Sequence, residues 1–212
     1  TAIIINYIIN YLEKIMFRVL LCFLIAAASL GIANAQEWAL SGGADAPPKP
    51  ISMVFDADGN MFVAGITVDT IDFGNNVIIV PMSATNSNSY IAKYNSEKQC
   101  VWAKCLTGTK KNSIQNIAVD AYGNVFAAGI FDRFMNFDNG VSLTATGDND
   151  GFAVKYNSDG ECLWANLQDR NPQHHRTARI ACDAVGNSYV LGDFSFFVSF
   201  GNDVSLSYDE YD

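Results

Sequence analysis

Basic residues are scarce in this chain: 13 Lys and Arg stand against 22 Asp and Glu, a formal charge of −9. Nucleic acid is held through a basic face, so that class of partner is excluded. Histidine is scarcer still, with only His174 and His175. Neighbours on an extended chain point opposite ways, and no third ligand stands near them, so neither a metal site nor a hydrolytic relay has its parts. No C-x-x-C pair is present to bind zinc. The G-x-S-x-G elbow, the Walker loop and the G-x-G-x-x-G fingerprint are also missing. The expectation is a protein without catalysis, cofactor or metal.

Apolar residues, by contrast, make up 50% of the 212 positions, enough to form a core. Part of that content reads as an address. From Met16 the chain runs MFRVLLCFLIAAASLGIANAQEW, with Arg18 as the charged region, an apolar run from Val19 to Ile32 and Ala33-Asn34-Ala35 as a small-x-small cleavage site. Residues 16–35 are therefore expected to be a secretory signal peptide, with Gln36 as the mature N-terminus and no membrane insertion afterwards. Glu13, Lys14 and Arg18 interrupt the alternative, a spanning helix. Cys22 lies inside the apolar run and lacks the small residue before it that a lipoprotein needs. Residues 1–15 precede the first Met and read as translated upstream sequence. Without residues 1–35, which hold Glu13, Lys14 and Arg18, 21 acidic and 11 basic residues remain, a charge of −10. An acidic surface suits a soluble exported protein.

The rest of the chain repeats. Gly65, Gly129 and Gly192 are 64 and 63 residues apart, and so are Phe73, Phe137 and Phe200; KYNS recurs at Lys93 and Lys155. A period near 63 marks units that bury their apolar faces against one another. Within one unit NIAVDA alternates as a strand, YGN turns, and VFAAGIF returns; DGFAVKYN and ECLWANLQ then pair across Ser158–Gly160. The fold class is all-β: propeller blades of four antiparallel strands. FDRFMNFDNGVSLTATGDN, between the second and third strands, is long for a loop, and its VSLTAT is expected to add a strand on one rim.

DADGN at Asp56–Asn60 has the oxygen-rich look of a calcium loop. It recurs as DAYGN at Asp120–Asn124 and DAVGN at Asp183–Asn187, with Asp, Tyr or Val in the middle. A required ligand does not vary so, and a hairpin turn is the simpler reading: Asp56, Asp120 and Asp183 with Asn60, Asn124 and Asn187 bond the local backbone, and Gly59, Gly123 and Gly186 take positive φ.

The order D-x-x-G-N-x-[FY]-x-x-G, then K-Y-N, then W-A at Trp102 and Trp164, resembles the SBBP-type bacterial β-propeller repeat, and the ensemble looks like the exported copies common in Bacteroidetes. The resemblance covers nearly all of residues 52–212 and implies no catalytic residue. What it leads one to expect is an exported binding or scaffold surface for a protein or glycan ligand; the alternative is a lyase or hydrolase whose site lies in blades beyond this chain.

On this reading the blades occupy residues 52–115 and 116–178, with a partial blade at 179–212. Trp38-Ala39 stands 64 residues before Trp102-Ala103, so Glu37–Ser41 reads as an orphan fourth strand that closes a ring, and residues 36–50 as that strand plus a Pro-rich linker. The third unit stops before its third strand, which makes the chain the expected front part of a longer protein. DRNPQHHRTAR, Asp169–Arg179, holds three of the four Arg beyond residue 35; it reads as a solvated loop between blades, with Arg170, His174, His175, Arg176 and Arg179 as the candidate rim-binding set for an anion. The aromatic series Phe126, Phe137, Phe152, Tyr156, Trp164 and Phe200 reads as core. Cys100, Cys105, Cys162 and Cys182 are expected as buried free thiols.

Overall fold

The computed structural model describes residues 18–23, 38–43, 48–145, 148–168, 176–193, 197–201 and 204–207. All regular structure among them is β. Two strands, β1 (Arg18–Phe23) and β2 (Trp38–Gly43), precede the first blade. That blade is the meander β3 (Lys49–Phe55), β4 (Met61–Thr67), then a small hairpin β5 (Ile71–Asp72) and β6 (Ile78–Ile79), then β7 (Asn88–Tyr94) and β8 (Cys100–Gly108). The second repeats the order: β9 (Asn112–Val119), β10 (Val125–Phe131), hairpin β11 (Phe134–Asn136) and β12 (Ser142–Thr144), then β13 (Asp150–Tyr156) and β14 (Cys162–Gln168). The third supplies β15 (Arg176–Cys182), β16 (Ser188–Asp193) and the hairpin β17 (Phe197–Gly201) and β18 (Val204–Ser207). The chain is thus a partial β-propeller, with antiparallel blades in the orders β3-β4-β7-β8 and β9-β10-β13-β14.

Each unit starts earlier than the repeat pattern led one to expect. Positions 52, 116 and 179 all fall inside a first strand, so the boundaries move to Lys49, Asn112 and Arg176, and Lys49-Pro50 belong to β3 rather than to a linker. A bulge conceals the beginning of each strand. In β3 the pairing jumps from Pro50↔Gly65 to Ser52↔Ala64, in β9 from Ile114↔Gly129 to Asn116↔Ala128, and in β15 from Thr177↔Gly192 to Arg179↔Leu191. One extra residue breaks the period of two, so the alternation is visible only after it. Opposite every bulge stands a glycine of the Gly65, Gly129, Gly192 series. A Cβ on Gly129 lies 2.2 Å from the Ser113 carbonyl oxygen, and one on Gly65 lies 2.3 Å from that of Lys49, so these glycines recur because two backbones meet there.

The long insertion differs from the expected single rim strand. It forms two strands, and they join the neighbouring blade: β11 pairs with β8 through Met135↔Gly108 and Asn136↔Thr107, which makes a six-stranded sheet β3-β4-β7-β8-β11-β12. The hairpin's apolar side chains fill the gap between blades. Met135 and Phe137 are buried in one cluster with Phe62, Trp102 and Leu106 of the first blade and Ile117, Phe152 and Tyr156 of the second. Tyr156 donates its hydroxyl to the Phe137 carbonyl oxygen at 3.0 Å, and Lys104 of β8 reaches Asp138 at the hairpin tip at 2.6 Å.

The same exchange explains β2. It pairs with β5 through Gly43↔Asp72, as β8 does with β11, and so holds the place of a fourth strand from a preceding blade. Its other edge pairs over six residues with β1, from Arg18↔Gly43 to Phe23↔Trp38. Of the expected signal peptide, Arg18–Phe23 is therefore a strand, and 16–17 and 24–35 lie outside the described residues. No helix among the described residues is long and apolar enough to cross a membrane.

Candidate functional site

A meander places its first-to-second and third-to-fourth turns on one rim, and its second-to-third and blade-to-blade connections on the other. The first rim carries the conspicuous motifs. In DADGN, Asp56 Oδ1 accepts the N–H groups of Asp58 (3.0 Å) and Asn60 (2.9 Å), and Asn60 Nδ2 donates to Asp56 Oδ2 at 2.7 Å. Asp120 and Asp183 repeat the set with Tyr122 and Asn124, and with Val185 and Asn187. Gly59, Gly123 and Gly186 sit at φ 77°, 75° and 89°. The middle residue contributes only its N–H, which is why Asp, Tyr and Val serve equally. Hydrogen bonds from Asn187 and the turn backbone lower the pKa of Asp183 from the usual carboxylate value.

The recurrent lysines of K-Y-N tie this rim together. Lys93 donates to the Ser158 carbonyl oxygen of the next blade at 2.9 Å, beside Trp102 Nε1 on the same oxygen at 3.0 Å. Lys155 lies 3.7 Å from the fully buried carboxylate of Asp120 and 4.7 Å over the Phe126 ring. Asp120→Ala is expected to cost about 2–3 kcal/mol, because it removes three acceptor contacts and strands a largely buried ammonium. Asp58→Ala, an exposed side chain with no hydrogen-bond role of its own in the turn, is expected to stay within about 0.5 kcal/mol. Urea denaturation of both variants measures the contrast, and a calcium-dependent rise in Tm abolished by Asp58→Ala would restore the calcium reading.

The cysteines lie on the fourth strands and at the end of β15; all four are free thiols, Cys100 and Cys162 buried as expected, Cys105 and Cys182 only partly so. Burial pushes the thiol of Cys100 up to about 12 and those of Cys105 and Cys162 up to about 11, and raises that of Cys182 as well. The sign follows: unfolded thiols ionise near pH 8.5 and the native ones far above it, so these groups contribute stability below that pH and lose it as pH rises toward the native values. A thiol reagent at pH 8 should leave the buried Cys100 and Cys162 unreacted in the native protein and titrate both in guanidinium.

Of the expected rim-binding set, Arg170, His174 and His175 lie outside the described residues. Arg176 and Arg179 are not in a loop: both belong to β15. Arg179 is exposed and occupies the place that Ser52 and Asn116 hold in the first two units. Those two side chains link successive inner strands. Ser52 Oγ accepts from Ile117 N and Asn116 Nδ2, each at 3.3 Å, and Asn116 Oδ1 accepts from Ile180 N at 2.9 Å. Two arginines of the expected anion set therefore lie on an inner strand.

Sequence reasoning missed a small cleft on the opposite rim, at the junction of the two blades, where Ser87, Lys111, Asn112, Asp132 and Asn149 converge. Asp132 accepts from Asn149 N at 2.5 Å and lies 3.9 Å from Lys111 Nζ. Asn112 is buried; its Oδ1 accepts from Ser89 N at 2.6 Å, while its Nδ2, like Asn88 Oδ1, has no hydrogen-bond partner among the described residues. These polar groups do not recur between repeats, so periodicity carries no signal for them. Non-recurrent polar residues just outside recurrent strands were the available clue.

No family model matches the chain. It is similar to an uncharacterized WD repeat-containing protein, L264, of Acanthamoeba polyphaga mimivirus, with 23% identity over 157 residues, covering 68% of this chain and 11% of that protein. WD repeats are propeller blades of four strands, in accord with the architecture seen here. The class is a repeat protein of β-propeller type, and the chain spans about a tenth of that relative's length.

Proposed function

We propose that the chain belongs to an exported propeller of the SBBP type that works without catalysis, as a binding or scaffold surface for a protein or glycan at the cell envelope or outside. One observation carries this reading: the recurrent polar groups described above are used inside the fold, in turns and blade-to-blade bonds. On the connector rim, Lys111 and Asp132 stand at a cleft beside the buried Asn112 Nδ2, which has no hydrogen-bond partner among the described residues. Such a rim on a rigid support is suited to recognition. An acidic, histidine-poor composition fits the same role.

A glycan array and binding assays with purified envelope proteins, run beside chromogenic glycoside and ester substrates, test it. Saturable binding that falls at least tenfold in Lys111→Ala/Asp132→Ala, about 1.4 kcal/mol, is the expected result. Turnover of any substrate, or no binding at all, overturns it. Export has its own check: the secreted protein should begin at Gln36, and retention of Met16–Ala35 in a membrane fraction would count against a cleaved leader.

A further inference from the structure

We infer that the cleft at the blade junction takes the edge of a neutral sugar, through a hydroxyl that bridges Lys111 and Asp132; this rests on the reading of the chain as a non-catalytic binding surface. Lys111 Nζ and Asp132 Oδ2 stand 3.9 Å apart, too far for a hydrogen bond with each other, and Asp132 Oδ1 is occupied by Asn149 N. Each therefore keeps hydrogen-bonding capacity at the cleft, one as an ammonium donor and the other as a carboxylate acceptor. An atom about 2.8 Å from both sees them roughly 90° apart, an arrangement that a hydroxyl oxygen meets by accepting from Lys111 and donating its own hydrogen to Asp132. Asn112 lines the same cleft. It is 2% exposed and its Nδ2 has no partner among the described residues, so an acceptor from outside the chain is what this buried donor lacks.

The same pair rejects other chemistries. A carboxylate or phosphate meets Asp132 and an ammonium meets Lys111, so a ligand of either sign loses against one partner what it gains from the other. A trans peptide carries its N–H and C=O on opposite sides and cannot give both to two atoms 3.9 Å apart. Size points the same way: the cavity is about 60 Å³, room for a few water-sized groups, which suits two adjacent carbon–hydroxyl units and is too small for an aromatic ring. Ile130 and Phe131 supply apolar lining for the C–H groups of the sugar. The first unit has no copy of this site, since by strand register Pro48 and Val68 stand there in the places of Asn112 and Asp132.

Two-dimensional amide NMR on the full chain tests this. The methyl α-pyranosides of glucose, galactose and mannose, each raised to about 50 mM, are the probes, and at least one should shift the signals of Asn112, Asp132 and Asn149 with a Kd on the order of millimolar. Lys111→Met and Asp132→Asn should each weaken that titration about tenfold. Circular dichroism checks that both are folded, and the exposed Lys111→Met serves alone if Asp132→Asn is not. Glucuronate, glucosamine at about pH 6 where it is an ammonium, and acetamide should leave the cleft signals in place. Equal shifts from any of these three overturn the inference. So does the absence of a cleft shift with every glycoside, or a folded variant that binds like wild type. Saturable binding of a glycan or envelope protein that leaves the cleft signals unmoved overturns this inference alone, whereas turnover of a bound glycoside overturns the non-catalytic reading and leaves the sugar site in place.

Discussion

Gly129→Ala should destabilise the protein by about 3–5 kcal/mol, a fall in Tm on the order of 10 °C, although it adds a single methyl group. That methyl meets backbone on one side, with the Ser113 carbonyl oxygen at 2.2 Å and Ile114 Cα at 2.9 Å, and the Phe152 ring at 3.0 Å on the other. Flexible side chains can move aside; a bulged strand and a ring with no exposed surface have nowhere to go. Relief requires β9 to part from β10, and β9 is the strand through which Ile114 and Ile117 enter the junction with the first blade. Gly140→Ala is the comparison. Its φ of 75° makes that change mildly unfavourable, but no heavy atom lies within 4 Å of the added carbon, so about 1 kcal/mol is expected. Thermal denaturation of the two variants should separate them clearly, and equal losses would refute the close-approach explanation for the recurrent glycine.

The distinction shows what the sequence makes readable. Recurrence identifies positions that every unit must satisfy in the same way: the Asp-x-x-Gly-Asn turn, the glycine opposite the bulge, the lysine of K-Y-N and the tryptophan of the fourth strand. It carries the blade architecture for the same reason. Pairing between units is hidden, because a repeat does not announce which neighbour its strands will join. VSLTAT read as one added strand on a rim, and nothing in it indicated that the hairpin it belongs to would bond through β11 to β8 of the blade before. Bulges hide strand starts by shifting the alternation by one residue, which is why Asn112–Gln115 read as part of the blade before and Arg176–Ala178 as loop. The junction cleft was invisible on different grounds. Lys111 and Asn112, Asp132, and Asn149 are separated in sequence and meet through the β9-β10-β13 pairing of the second blade, while Ser87 arrives from the first.

Phe137→Ala should cost about 3–5 kcal/mol and reduce the cooperation between the blades as well as the stability of either. The ring is 1% exposed and packs at 5.3 Å against Phe152, which also meets Phe131 at 6.0 Å. Its backbone is equally committed, since Phe137 N–H donates to the Val141 carbonyl oxygen in the hairpin and its own carbonyl accepts from the buried Tyr156 hydroxyl. Removing the ring leaves a cavity where the hairpin, β8 and the second blade converge, and none of these walls collapses without breaking the β11–β8 pairing or the Tyr156 bond. The location predicts more than a loss of stability. Because the hairpin is hydrogen-bonded to the first blade and packed on the second, a weakened hairpin should let the blades exchange amide hydrogens independently. Protection should then fall first in β11, β12 and the adjoining end of β8, while β4, whose front side chains Met61 and Val63 pack in a separate cluster with Ile71 and Tyr90, keeps more of it. Hydrogen exchange followed by mass spectrometry reads this directly, and a uniform loss of protection across both blades would show that the hairpin does not couple them.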